Sequence, residues 1–169
     1  MTVKNRKVFL DTSVVFAAVL SPTGGARKLF QLGETGLLKL FIGPNVLREC
    51  DEVVRRKAPA SLSTLAQLLE KGGVETTPTP TQKMIEFARS MVEYEPDACV
   101  LAEAISAEPD WFVTHDKEHF LKERKDSDLF FHIGTPGDLI QSIKDDFTLR
   151  PGVTSSNRAF DRQPGYSSN

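Results

Sequence analysis

Cysteine is nearly absent from this 169-residue chain, which has only Cys50 and Cys99. Two thiols, each inside an apolar pattern, make no disulfide framework and read as reduced core residues of a cytoplasmic protein. Long apolar runs are also missing. None approaches the roughly 18 residues that span a bilayer, so no membrane partner is expected. Met1 to Lys7 is basic, but the apolar run that follows is broken at Asp11 and lacks a small-residue cleavage site, which argues against a secretory signal. There is no excess of positive charge: 21 basic residues stand against 23 acidic, a net of -2. That excludes tight, non-specific duplex binding driven by global charge, though not local basic patches. His115 and His119 have a one-face helical spacing, but no nearby histidine or cysteine completes a zinc set. No GxxxxGK[ST] phosphate loop occurs, and Gly24-Gly25 alone is too little for a dinucleotide site.

What is present is an ordinary globular composition, 40% hydrophobic and 26% charged, on a chain long enough for one domain with a sizeable core. Apolar strands are expected at 6–11, 38–42, 74–76, 111–114 and 129–133. Helices are expected at about 13–20, 25–35, 45–57, 61–72, 81–92, 97–107, 117–124 and 136–146. Alternating apolar strands and helices indicate an α/β fold, a three-layer α/β/α sandwich with a central, mostly parallel sheet. Residues 1–147 form this domain. Residues 148–169 shift to Pro, Gly, Ser, Asn and Arg and are expected to be a disordered tail.

Carboxylates recur where this architecture places ligands, beyond the carboxyl ends of parallel strands. The run "VFLDTS" ends a strand on Asp11, and "FVTHD" ends another just before Asp116. Each aspartate also suits a helix N-cap, the plainer reading. Asp97 falls in the first turn of an apolar helix, where the helix dipole favours an anion. On helix 45–57, Val46, Leu47, Cys50, Val53 and Val54 form an apolar stripe flanked by Glu49 on one edge and Asp51 on the other, and periodicity does not choose between them. Two like charges about 4 Å apart cost about 4 kcal/mol at an effective dielectric of 20. Four gathered acids must therefore take up protons or bind a cation. Oxygen-only donors favour Mg²⁺ or Mn²⁺, and such an ion suits phosphodiester hydrolysis.

In order along the chain, "VFLDTS", "SPTGGA", "GPNVLRECDEVVRRK", "PDACVLA", "VTHDK" and "HIGTPGDLI" are similar to the motifs of the PIN-domain nucleases. The resemblance covers about residues 6 to 146 and is nearest the VapC-like branch, the toxin component of toxin–antitoxin pairs. It implies a ribonuclease that hydrolyses RNA phosphodiesters, with Asp11, Glu49, Asp97 and Asp116 holding Mg²⁺ or Mn²⁺, and so selects Glu49 over Asp51. Thr12 or Ser13 would orient Asp11 or touch phosphate, and Thr114 would brace Asp116. Ser13 and His115 depart from the pattern, standing where Asn and Gly are common; His115 adds a possible proton donor. The implied partners are single-stranded or structured RNA, a small antitoxin protein and a second copy in a homodimer.

Basic residues at helix ends, Arg55, Arg56 and Lys57, and also Lys117, are candidates for RNA contact, as are Lys122, Arg124 and Lys125. Helix-dipole pairing is the competing account of the first group. Glu118 is a candidate fifth acidic ligand, with a helix-surface position as the simpler reading. Two other functions compete: an inactive PIN fold serving as an RNA-binding or protein-interaction scaffold, and an aspartyl-phosphate hydrolase of the haloacid dehalogenase type. The second would need an aspartate where this chain has Ser13.

Overall fold

The computed structural model describes residues 5–117, 120 and 129–149. The chain runs β1 (Arg6–Leu10), α1 (Thr12–Leu20), α2 (Gly25–Glu34), β2 (Leu38–Ile42), α3 (Pro44–Lys57), a 3₁₀ turn (Pro59–Ser61), α4 (Leu62–Lys71) and β3 (Glu75–Thr76). It continues through α5 (Gln82–Met91), α6 (Glu95–Ala107), β4 (Trp111–Val113), β5 (His132–Gly134) and α7 (Pro136–Thr148). The five strands lie in the order β3-β2-β1-β4-β5, and every pairing is parallel. Helices complete the expected three-layer α/β/α fold around this sheet.

β1 is central and carries no alternation. Val8, Phe9 and Leu10 are all fully buried, as a strand covered on both faces requires. Phe9 meets the ring of Phe112 edge-on at 5.3 Å, and Phe112 meets Phe120 at 4.9 Å and Phe131 at 6.4 Å. Aromatic pairs of this geometry add roughly 0.5–1.5 kcal/mol each beyond area burial. Gly36 ends the turn after α2 at φ +75, a backbone that glycine adopts without a Cβ penalty.

The chain lays β1, β2 and β3 to one side, then returns to place β4 on the other side of β1. Strand order therefore reverses between β1 and β4, and a crevice opens beyond their carboxyl ends. Asp11 leaves β1 there, and Thr114, His115 and Asp116 leave β4 beside it.

Three expectations need correction. The strand expected at 129–133 is His132–Gly134, paired Trp111↔His132 to Val113↔Gly134. Phe131 is instead buried against Phe112 and Phe130, so its apolar character serves the core rather than the ladder. Leu47 is exposed, leaving Val46, Cys50 and Val54 as the buried stripe of α3. Cys99 is half-buried, so only Cys50 is a core thiol, and burial pushes its pKa up to about 12. The expected helix 117–124, with Glu118, His119, Lys122, Arg124 and Lys125, lies outside the described residues apart from Lys117 and Phe120. So does the expected tail beyond Leu149.

Candidate functional site

A cleft of about 430 Å³ opens at the carboxyl end of the sheet, and Asp11, Glu49, Asp97 and Asp116 all line it. They reach it from four separate places: the β1–α1 junction, the second turn of α3, the first turn of α6 and the segment after β4. Thr12, Ser13, Phe16, Val53, Lys57 and Tyr94 are among the remaining lining residues. Asp51 is turned away and pairs with Arg55 at 2.7 Å.

Asp11 occupies the N-cap position of α1, yet its carboxylate makes no capping hydrogen bond. The plainer reading of its role is therefore not met. Its Oδ2 accepts instead from the Thr114 hydroxyl at 2.8 Å and the Ser13 hydroxyl at 2.9 Å. The residue is only 9% exposed. Burial raises its pKa; the two hydroxyls oppose that shift, and the nearby Glu49 charge adds to it. Glu49 is held by its own hydroxyl, with Thr12 Oγ1 donating to Oε2 at 2.7 Å.

These hydroxyls divide the work differently from the sequence expectation. Ser13 does hold Asp11, whereas Thr12 turns to Glu49. Thr114 donates to Asp11 and accepts the Asp116 backbone N–H at 3.0 Å, so it reaches Asp116 through the main chain. The His115 amide donates to Ser13 Oγ at 3.1 Å, while the exposed His115 ring is not part of the lining. Ser13 thus serves as a bridge where a haloacid dehalogenase-type enzyme would need its second aspartate.

The candidate RNA-contact residues separate as well. Lys57 lines the cleft, with its ammonium 5.8 Å from the centre of the Phe16 ring. Arg55 is engaged with Asp51, Lys117 lies 3.4 Å from Asp138, and Arg56 is exposed outside the lining. The sequence did not mark Phe16, Val53 or Tyr94 as cleft residues; Val53 was read only as part of the apolar stripe of its helix. Tyr94 is 63% exposed at the cleft, and its place just before Glu95-Pro96 at the start of α6 was the available signal.

Among the described residues, no three His, Cys, Asp or Glu side chains stand close enough to form a ready ligand cage. The four acids share the walls of the cleft rather than one point. The donor set nevertheless fits a hard divalent cation: all its donors are carboxylate oxygens, and two of the carboxylates are oriented by hydroxyls. A second cleft of about 430 Å³ lies at the opposite end of the sheet. There Arg6 is committed to Asp146 and Ser142, and Asp110 accepts the Lys7 amide at 2.8 Å.

Comparison with known proteins adds to this geometry. A family profile described as PIN domain matches residues 7–118, a span that includes all four acids. The chain belongs to the PIN-domain family. PIN domains are generally nucleases, usually use divalent metal ions and act on nucleic acids, so a nuclease-type, hydrolytic function follows for this chain. The crystal structure of PAE2754 from Pyrobaculum aerophilum is similar, with a TM-score of 0.57 at 17% identity. The match covers 85% of this chain and 99% of that one. At this identity the likeness concerns the PIN-like fold alone. No curated protein matches. Among the described residues, no helix is long and apolar enough to cross a membrane.

Proposed function

We propose that this PIN domain is an endoribonuclease dependent on Mg²⁺ or Mn²⁺, with Asp11, Glu49, Asp97 and Asp116 as its ligand set. The observation that carries the reading is the meeting of four carboxylates, distant in sequence, in one cleft at the switch point of the sheet. A divalent ion bound there would neutralise phosphate charge and lower the pKa of the attacking water. The chain's own part is orientation. Thr114 and Ser13 fix Asp11, Thr12 fixes Glu49, and Lys57 offers a cation to the RNA backbone at the mouth. The resemblance to the toxin branch extends the reading to a cytoplasmic toxin, a homodimer restrained by a small antitoxin protein.

Cleavage of single-stranded RNA by the purified protein tests this. Cleavage should require Mg²⁺ or Mn²⁺ and stop with a chelator. It should fall by about 100-fold or more in Asp11→Asn and Asp97→Asn, more than the loss typical of groups that merely support a ligand. Cleavage that survives both the chelator and the substitutions contradicts the metal mechanism. RNA binding without cleavage, under any divalent ion, favours the scaffold reading.

A further inference from the structure

Glu103 is a carboxylate that the proposed reaction does not use. It sits on α6, on the same helix as Asp97, within a run of buried apolar residues, and is itself 1% exposed. A carboxylate so deeply buried costs free energy unless its oxygens are bonded. Its Oε1 accepts two hydrogen bonds from one residue of another helix: the Asn45 amide at 2.7 Å and Asn45 Nδ2 at 2.8 Å. Among the described residues, its Oε2 has no hydrogen-bond partner. Burial raises the Glu103 pKa, and its bonds with Asn45 oppose that shift.

The identity of the bonded helix gives this arrangement its meaning. α3 begins at Gly43, an N-cap with no side chain to offer, followed by Pro44, which has no N–H. Asn45 therefore carries the first amide of α3 that a cap can satisfy, and Glu103 supplies the cap from across the fold. Gly43 makes this possible, because a Cβ there would stand 1.8 Å from Glu103 Oε2. The network continues along α3, where Arg48 donates to Asn45 Oδ1. Arg48 adjoins Glu49. Glu103 thus ties the helix that carries Glu49 to the helix that carries Asp97.

We infer that Glu103 is a positioning residue: by capping α3 from α6, it sets the placement of Glu49 relative to Asp97 across the cleft. This rests on the reading of those two acids as metal ligands, and two measurements keep the two claims apart. Hydrogen–deuterium exchange of the full chain without metal reads the cap alone. Titration with Mn²⁺, followed by the spectroscopic signal of the free ion, reads the site.

In Glu103→Ala, exchange at the Asn45 to Leu47 amides should quicken about fivefold or more, the scale of a lost cap, with the amides of α2 unchanged. Mn²⁺ affinity should fall by 10- to 100-fold, about the loss seen when a ligand's support is removed. Glu103→Gln keeps an acceptor oxygen and should rescue both readouts to near wild type, which distinguishes positioning from general loss of packing. Gly43→Ala, by driving a methyl into the carboxylate, should reproduce Glu103→Ala. If Glu103→Ala does not fold, Glu103→Gln and Gly43→Ala carry the test: a rescued Gln beside a weakened Gly43→Ala supports positioning, and two wild-type results overturn it. Unchanged exchange in both Glu103→Ala and Gly43→Ala overturns the cap. Faster exchange with undiminished Mn²⁺ affinity overturns positioning while leaving the metal reading intact. A wild-type protein that takes up no Mn²⁺ overturns the metal reading itself.

Discussion

Hydroxyls orient two of the cleft's four carboxylates, Asp11 through Thr114 and Ser13 and Glu49 through Thr12. Thr114 is fully buried, donates to Asp11 at 2.8 Å and accepts the Asp116 amide at 3.0 Å, so one oxygen serves two of the four acidic residues. Thr114→Val keeps the shape and removes both bonds. It should cost about 1–3 kcal/mol in urea unfolding, because buried Asp11 and the Asp116 amide each lose a hydrogen-bond partner. RNA cleavage should fall by 10- to 100-fold. Wild-type cleavage in this variant would show that Asp11 needs no such support. Three of the acids were legible in the sequence because strand ends and a first helical turn mark positions that topology makes meaningful, whereas periodicity left Glu49 level with Asp51 and only the family resemblance chose between them. The acids' hydroxyl partners were less legible. Thr12 and Ser13 are adjacent, and only side-chain direction sends one to Glu49 and the other to Asp11. Glu103 left a trace as the lone charge in "CVLAEAI", but its partner Asn45 is 58 positions away, and no local pattern joins the two.

Among elements, α7 shows how local chemistry fixes a boundary. Thr135 and Asp138 form a reciprocal capping box, with the Thr135 amide donating to Asp138 Oδ2 at 2.9 Å and the Asp138 amide donating to Thr135 Oγ1 at 3.2 Å. The Thr135 amide, aided by the Thr135 hydroxyl and Lys117, holds the Asp138 carboxyl below its ordinary value of 3.8. A lowered carboxyl contributes stability above its unfolded range and loses that contribution as pH falls through its folded value. Asp138→Ala should therefore cost about 1 kcal/mol at neutral pH, and the deficit should shrink in acid as pH falls below 3.8 and through the lowered folded value. Urea unfolding at several pH values checks this, and a deficit that is constant with pH would contradict it. "GTPGD" made this helix start readable, whereas the strand before it was misplaced. An apolar run such as "LFFHI" fits a ladder or a core plug equally well, and only the pairing with β4 decides between them.

For the whole molecule, the site is a consequence of topology. The alternation of strands and helices was enough to foresee a parallel sheet, since parallel neighbours need crossovers of this length and helices usually supply them. The strand order was not legible, because nothing local records that the chain returns across β1 to lay down β4. That return opens the crevice that Asp11 and Asp116 line, and α3 and α6 bring Glu49 and Asp97 to its walls. The most direct test is a crystal structure grown with saturating Mn²⁺ and measured for its anomalous signal. The account predicts a peak in this cleft, bonded to oxygens of Asp11, Glu49, Asp97 and Asp116. A cleft without manganese, in protein from a preparation that cleaves RNA, would contradict it.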